Sequence, residues 1–222
     1  YRNGTMYSSY TASSLSRIDD IGKLYGVNIQ GALSWSFEFE DQPWFYGFRD
    51  LATNGVDKPV LNVFRMFGLM NGRRIAVENS SSIPLNTLIH QGVRGAQPDI
   101  DAFASADKSG AAIMVWNYHD DDDVSAEGSL VEVSVRGIPG KKSLLLHYRV
   151  DKDHSNSYEV WKKLGSPQRV SPEQFSQLEN AGQLALLGSP EWLTGKNGTI
   201  TTKFKLPRQG VSLLKLAYEK NL

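Results

Sequence analysis

Residues 27–43 read VNIQGALSWSFEFEDQP, an apolar run that turns acidic and then meets a proline. The first part, Val27–Phe37, consists mostly of small and apolar residues and predicts a buried strand. The continuation is acidic and aromatic, and Pro43 stops the strand because proline cannot donate a sheet hydrogen bond. This stretch therefore predicts a buried strand whose C-terminal end carries carboxylates.

Two helical patterns flank the predicted strand. Ser8–Tyr25 shows a stripe of apolar residues three positions apart, and Gly26 stands where a C-cap belongs. The stripe consists of Leu15, Ile18, Ile21 and Leu24. A second helix is predicted over Val60–Met70, with Asp57 as its N-cap and Pro59 in its first turn.

A single strand between two helices cannot bury both of its faces by itself. It needs parallel neighbours on each side. The chain is therefore expected to begin inside a longer protein, with the missing strands upstream of Tyr1. Residues 1–72 are predicted to form one part, of the α/β class.

After residue 72 the pattern changes to short alternating runs that predict strands. Asp107–Gly110 is predicted to join two of them as a tight hairpin. The predicted strands are Arg73–Val77, Asp101–Ala106, Ala111–Tyr118, Leu130–Val135, Leu144–Val150, Ile200–Leu206 and Val211–Tyr218. Residues 73–222 are therefore predicted to form an antiparallel β-sandwich with a core of its own, which makes the whole chain α/β plus all-β.

Two short helices interrupt the sandwich pattern, over Ser157–Leu164 and over Pro172–Ala181. Ser155 or Ser157 is expected to cap the first of them. We prefer that role to a Ser–His–Asp site with His154, because adjacent Ser and His residues need a buried third partner and an oxyanion hole.

Composition excludes several classes of function. With 24 Lys+Arg and 24 Asp+Glu, the 222-residue chain has a formal net charge of zero, which argues against nucleic acid as its main partner. No apolar run approaches the roughly 18 residues of a membrane helix. The absence of cysteine excludes disulfides and thiolate chemistry. The four His lack metal-ligand spacing, and Asp120–Asp123 is interpreted as a solvated turn, so neither a metal nor a cofactor is predicted.

Glu38 and Glu40 are the sharpest candidates for chemistry. They lie two positions apart at the strand end, so on an extended strand they point the same way, roughly 6.6 Å apart. Such carboxylates can serve glycoside hydrolysis, or they can be ordinary solvated groups. A sugar contact is better supported, because carboxylates accept hydrogen bonds from hydroxyl groups and aromatic faces cover sugar rings. The neighbouring aromatic residues are Trp35, Phe39 and Trp44.

Longer motifs make this sequence similar to a known family. The segments GALSWSFEFEDQP (31–43), GFR (47–49) and ATNGVDKPVLNVFRM (52–66) resemble the last strand and helix of the catalytic barrel of glycoside hydrolase family 39, the bacterial β-xylosidases. The segments HSNSY (154–158), GSP (165–167) and LPRQGVSLL (206–214) resemble the accessory β-sandwich of that family. The likeness covers nearly the whole chain.

The resemblance implies a (β/α)8 TIM barrel beside an antiparallel β-sandwich, and a retaining mechanism with two glutamates. One glutamate follows strand four in an Asn-Glu-Pro motif, and the other follows strand seven. The chain contains no Asn-Glu-Pro. It is expected to hold helix seven, strand eight and helix eight of the barrel plus the sandwich, so no catalytic residue is carried onto it.

The resemblance also implies a substrate site. By position, Glu40 matches the strand-eight acidic segment that contacts the sugar in subsite −1. Phe39, Trp44, Trp35 and Asp41 complete the implied set, and Glu38 is a further candidate. The implied partners are a xylo-oligosaccharide or xyloside substrate and the N-terminal barrel part of the same protein, in a bacterial cytoplasm or periplasm.

Two other interpretations stay open. The chain can be a free-standing carbohydrate-binding or structural sandwich. Such a module does not need a buried strand between amphipathic helices, which the sequence predicts here. The chain can also be an unrelated lectin-like sandwich, but that leaves residues 1–70 without a role. The sequence does not separate xylose from arabinose or iduronate as the preferred sugar.

Overall fold

The computed structural model describes residues 1–32, 41–94, 97–123 and 126–219. Within these ranges it holds five helices and eleven strands. None of the helices is long and apolar enough to cross a membrane. Residues 33–37 of the predicted strand Val27–Phe37 lie outside the described residues. Residues 27–32 are exposed and belong to neither a helix nor a strand, so the prediction of a buried strand is wrong for them.

The first helix, α1, spans Thr5–Tyr25 and ends at Gly26, whose left-handed backbone (φ 66°) lets its N–H reach the last carbonyls. Its predicted apolar stripe does not face the core. Ile18 and Leu24 are exposed, and the buried face consists of Tyr7 and otherwise of small residues. Those residues are Ser8, Ser9, Thr11, Ala12, Ser13 and Ser16, which allow a close approach to the sheet.

A short hairpin precedes the second helix. Strands β1 (Ala52–Thr53) and β2 (Val56–Asp57) pair antiparallel, and α2 follows over Pro59–Gly68. The predicted N-cap role of Asp57 is wrong, since Lys58 occupies the cap position and no side chain caps the helix. The Asp57 carboxylate instead forms an ion pair with Arg65 at 2.7 Å.

The rest of the chain forms two antiparallel sheets. The larger has seven strands in the order β3-β4-β5-β11-β7-β8, with β9 also paired to β7, and the smaller pairs β10 with β6. The strands of the larger sheet are β3 (Arg73–Ile75), β4 (Asp99–Ala106), β5 (Gly110–Tyr118), β7 (Lys142–Val150), β8 (Ala185–Leu186), β9 (Glu191–Thr194) and β11 (Val211–Tyr218). Those of the smaller are β6 (Ser129–Arg136) and β10 (Thr199–Leu206). All seven predicted strands are present, and the Asp107–Gly110 turn joins β4 to β5 as predicted.

The two faces of the larger sheet have different covers. One face packs on β6 and β10 through a cluster that includes Leu145, Ile200 and Leu214. The other face packs on α1 and α2, where Met114 and Trp116 share a cluster with residues of both helices, among them Ala12, Val63 and Met66. Residues 73–222 therefore enclose one core cluster of their own between the two sheets and share a second cluster with α1 and α2. The boundary at residue 72 stays a prediction.

Three further helices complete the chain: α3 (Leu85–Gln91), α4 (Ser157–Lys163) and α5 (Pro172–Gly182). The sequence did not predict α3. The cap of α4 is Asn156, whose side chain accepts a hydrogen bond from the Glu159 N–H, so the prediction of Ser155 or Ser157 is wrong. Ser155 instead donates to the Arg149 carbonyl oxygen at 2.7 Å, which leaves it no part in a catalytic triad.

Candidate functional site

The predicted site residues divide into two groups. Asp41 and Trp44 are described by the structure. Trp35, Glu38, Phe39 and Glu40 lie outside the described residues, so their placement stays a prediction. Asp41 is exposed and has a left-handed backbone (φ 58°), which turns the chain sharply just after the acidic segment. It opens a loop of residues 41–57 that leads to α2, and we call this segment the site loop.

The hairpin β1–β2 braces the beginning of the site loop. Its turn, Asn54-Gly55, has positive φ at both residues, as a type I′ turn requires. The Asn54 side chain donates to the Gln42 carbonyl oxygen at 3.3 Å. The Thr53 hydroxyl accepts a hydrogen bond from the Phe45 N–H at 3.0 Å. The loop therefore doubles back on itself and is tied by its own polar groups.

Phe45 is the buried anchor of the site loop, with only 5% of its surface exposed. Its ring centroid lies 5.0 Å from that of Trp161 and 5.2 Å from that of Tyr158, both on α4. The Asn3 side chain donates to its carbonyl oxygen at 2.7 Å. Aromatic pairs at these separations favour a defined geometry, so Phe45 ties the loop to the second part of the chain.

Trp44 is half-buried and already has protein partners. Its backbone N–H and carbonyl oxygen both bond to the side-chain amide of Gln168, at 2.9 and 3.4 Å. Its ring contacts Phe175 edge-on, with 6.3 Å between centroids. A sugar contact by Trp44 therefore has only the remaining exposed part of the ring available.

Sequence reasoning missed two exposed rings in the same loop. Tyr46 and Phe48 lie on either side of Gly47, and their ring centroids are 5.1 Å apart. Tyr46 is 60% exposed, which makes the pair an accessible aromatic surface in the same loop as Asp41. Four aromatic residues within residues 44–48 were the available signal.

Basic residues border this aromatic surface. Arg2 donates to the Gly47 carbonyl oxygen at 3.3 Å and to the Tyr1 hydroxyl at 3.2 Å. The hydrogen bond from Arg2 is the main cause that lowers the pKa of Tyr1, and Arg49 lowers it further against the opposing effect of burial. The guanidinium groups of Arg2 and of Arg49 in the site loop therefore lie near the aromatic residues of this surface.

A buried ion pair closes the far end of the site loop. The Lys58 side chain is fully buried and pairs with Asp50, whose side chain is 13% exposed. The Lys58 N–H also donates to the Leu51 carbonyl oxygen at 2.9 Å. A buried ammonium group needs such a partner, because an isolated charge in the protein interior is strongly unfavourable.

The acidic run Asp120–Asp123 has a structural role at its first residue. Asp120 accepts hydrogen bonds from Arg94 and from the Tyr118 hydroxyl, both at 2.7 Å. Burial raises its pKa, but these two bonds outweigh burial and hold the pKa below the usual value. Among the described residues no group of three or more His, Asp or Glu could hold a metal ion.

Comparison with protein-family models identifies the family of this chain. The model described as glycosyl hydrolases family 39 matches residues 1–189. This chain belongs to glycosyl hydrolase family 39. The match runs from α1 through the site loop and the three short helices α3, α4 and α5. A free-standing sandwich module is therefore not favoured, and the resemblance drawn from the motifs is confirmed.

Relatives with known names agree with the family 39 assignment. A curated β-xylosidase of Caldicellulosiruptor saccharolyticus is 25% identical over 142 residues, which is 64% of this chain and 26% of that protein. A solved family 39 enzyme from Xanthomonas axonopodis pv. citri aligns with a TM-score of 0.75 at 17% identity. A monomeric β-xylosidase from Caulobacter crescentus CB15 aligns with a TM-score of 0.72 at 16% identity.

The extent of these matches is uneven. Both structural alignments cover 98% of this chain and 42% of the solved chain. The family 39 chain therefore spans about two fifths of those solved relatives and about a quarter of the curated one. At these identities the structural likeness shows that the fold is shared.

Proposed function

We propose that this chain is the C-terminal part of a retaining glycoside hydrolase that releases xylose from xylo-oligosaccharides. The family 39 match over residues 1–189 carries this proposal. The two catalytic glutamates are placed on the upstream part of the same protein. The chain contains no Asn-Glu-Pro motif for the acid/base, and it spans 42% of the solved relatives.

In this proposal residues 1–72 supply helix seven, strand eight and helix eight of a (β/α)8 barrel. Helix seven corresponds to α1 and helix eight to α2. The exposed apolar side of α1 supports this arrangement, because an amphipathic helix normally buries such a stripe. Its members are Ile18, Ile21, Leu24 and Tyr25, of which Leu24 and Tyr25 are 58% and 63% exposed. The upstream barrel part is the proposed cover.

The substrate site in this proposal combines Glu40 with Trp35, Phe39, Asp41 and Trp44. Carboxylates accept hydrogen bonds from sugar hydroxyl groups, and aromatic rings cover the apolar face of a sugar. The described part of the loop supports this with Asp41 on an exposed turn. The exposed pair Tyr46 and Phe48 adds apolar surface in the same loop.

In this proposal the chain does not supply the two carboxyl groups that retaining hydrolysis needs. Retaining hydrolysis uses two carboxyl groups about 5–5.5 Å apart, one as nucleophile and one as acid and then base. Neither family glutamate is carried onto a residue here. We therefore expect the purified 222-residue chain to leave an aryl β-xyloside intact, whereas the complete protein hydrolyses it with retention of configuration.

Glu40→Ala in the complete protein tests the site. A charge-assisted hydrogen bond is worth about 1.5–3 kcal/mol. Each 1.36 kcal/mol is a factor of ten in rate, so kcat/KM should fall roughly 10- to 150-fold. The control is Glu132→Ala on β6, a half-exposed residue that pairs with Lys203 at 2.6 Å. Unchanged kcat/KM with a lowered melting temperature would reject the sugar contact. A complete protein that binds xylo-oligosaccharides without cleaving them would reject the hydrolase.

A further inference from the structure

We propose that the helices α4 and α5 of the second part position the site loop, with Phe45 and Trp44 as the points of contact. The proposal rests on the proposed function, because it assigns these helices a role in placing the sugar-binding segment. In this role Phe45, Trp161 and Gln168 are positioning residues. They act through the loop and do not touch the substrate.

The first contact holds the loop backbone in an unusual shape. Phe45 has a left-handed backbone (φ 51°), which residues other than glycine rarely adopt. Its ring packs against both Tyr158 and Trp161, which stack on each other on α4, so burial there compensates for the unfavourable backbone. The buried cluster around it also contains Leu178 of α5. Both helices therefore contribute to the pocket that receives this ring.

The second contact pairs backbone with side chain. Gln168, in the connection between α4 and α5, accepts from the Trp44 N–H and donates to the Trp44 carbonyl oxygen. Its amide thus imitates a neighbouring strand and satisfies both backbone groups of one residue. Phe175 of α5 supports the Trp44 ring from the side.

The third contact fixes the end of the loop, where Asp57 leads into α2. The Ser157 hydroxyl at the start of α4 donates to the Asp57 carbonyl oxygen at 2.5 Å. Gly182 at the end of α5 leaves no room for a side chain there, since a Cβ would lie 2.9 Å from the same oxygen. Asn62 of α2 donates to the Gly182 carbonyl oxygen at 2.7 Å.

These contacts hold both ends of the site loop against the helical pair. Glu40, the proposed sugar contact, directly precedes Asp41 in the sequence, so a peptide bond links it to the segment that Trp44 and Phe45 hold. A displacement of about 1 Å in a substrate-positioning group can cost on the order of a hundredfold in rate. The second part of the chain therefore contributes to catalysis through the loop.

Gln168→Glu tests the proposal with little risk to folding, because Gln168 is exposed. The introduced carboxylate still accepts a hydrogen bond from the Trp44 N–H. It cannot donate one to the Trp44 carbonyl oxygen, and its second oxygen repels that carbonyl oxygen. A net hydrogen bond corresponds to roughly a 2- to 12-fold change in a local opening equilibrium. Amide exchange within residues 41–57 of the complete protein should rise by that factor, and kcat/KM for an aryl β-xyloside should fall. The control is Gln177→Glu, the same change at an exposed position of α5.

Trp161→Leu and Trp161→Phe form a second pair of test variants, in which the second is the control. The aromatic replacement should keep the kinetics near normal, and the aliphatic one should speed exchange in the loop and lower kcat/KM. A double-mutant cycle with Glu40→Ala tests whether Gln168 acts through Glu40. If it does, the effect of Gln168→Glu on kcat/KM should vanish when Glu40 is absent. Unchanged loop exchange in both variants, or faster exchange with unchanged kcat/KM, overturns the proposal. An inactive parent protein rejects the proposed function instead, and the exchange data still decide whether the helices hold the loop.

Discussion

Arg149 and Asp151 form an ion pair at 3.1 Å inside the second part of the chain, with 2% and 6% of their side chains exposed. The other carboxylate oxygen of Asp151 accepts hydrogen bonds from the N–H groups of Asp153 and His154 and from the His154 ring. Burial raises the pKa of Asp151, but these bonds and the nearby positive charges outweigh burial and lower it. The pair therefore stabilises the fold at neutral pH, and this contribution is lost as the pH falls through the lowered pKa.

Asp151→Asn should destabilise the chain strongly. The substitution leaves the Arg149 guanidinium buried without a counter-charge, and breaking a buried pair in this way typically costs about 3–5 kcal/mol. Urea titration of both proteins measures the free energy of unfolding. The matched control is Asp153→Asn, whose side chain is 72% exposed and lies 3.8 Å from Lys163. We expect a change below about 0.5 kcal/mol there, and equal losses in the two variants would contradict the prediction.

His147 should make stability depend on pH in the acidic range. Burial lowers the pKa of its ring to about 4, with the charges of Arg149 and His154 adding to the effect. The ring bonds to the Ser212 hydroxyl at 2.9 Å and packs on Phe204. The unfolded chain takes up a proton near pH 6.5, which the folded chain accepts only near pH 4. Stability should therefore fall as the pH is lowered from about 6.5 to about 4, by at most about 3 kcal/mol from this group.

Replacement of His147 by Gln checks this. Glutamine can keep the bond to Ser212 but does not titrate, so the slope of the unfolding free energy between pH 4 and 6.5 should become shallower. His90→Gln is the control, because His90 is exposed on α3. Equal pH slopes in the two variants would show that His147 does not carry the effect.

Two glycines with the same backbone should differ in their tolerance of alanine. Gly72 (φ 86°) and Gly26 (φ 66°) are both left-handed. A Cβ on Gly72 would collide with the Ala106 carbonyl oxygen, whereas nothing lies within 4 Å of one on Gly26. Gly26→Ala should cost about 1 kcal/mol for the backbone alone, and Gly72→Ala at least about 3 kcal/mol. Thermal and urea unfolding of the two variants measure these costs. Equal costs would mean that the structure around Gly72 makes room for the Cβ without a loss of stability.

The strands were predictable because local sequence carries their pattern, an alternation of half-buried and exposed residues in β6 and a short apolar run in β5 and β11. Val211–Tyr218 matches its prediction residue for residue. The helix α3 was not predictable, since its seven residues have no side-chain cap and none of them is buried. Which face of α1 is buried could not be predicted from the sequence either. Ser9 bonds to Gln209 and Ser13 to Asp99, and such distant partners make small polar residues suitable for burial.

The family of the chain was predictable from its motifs, but the arrangement of the candidate site was not. The aromatic and acidic composition around Trp44 predicts a sugar-binding loop, and this stays a prediction. That Phe45 is the anchor follows from Trp161 and Tyr158, which a local pattern cannot relate to it. The share of Trp44 that remains exposed depends likewise on Gln168 and Phe175.

The shared core leads to the last prediction, which concerns the helices and the larger sheet. Met66 of α2 is fully buried in one cluster with Met114 and Trp116 of β5, both fully buried as well. Residues 73–222 without the helices would expose this face of the sheet to water. We expect such a truncated chain to bind a hydrophobic dye, to lose its near-ultraviolet circular dichroism, and to unfold without a sharp urea transition.

Met66→Ala in the whole chain separates this packing effect from truncation. Removing a buried Met side chain typically costs about 2–5 kcal/mol, because the cavity that remains adds to the lost transfer energy. Leu130→Ala on β6 is the control, since Leu130 is 76% exposed, and its cost should stay below about 0.5 kcal/mol. The same loss in both variants would show that the helix face contributes no core packing. A truncated chain that unfolds sharply, with a slope proportional to its size, would show that the sandwich stands alone.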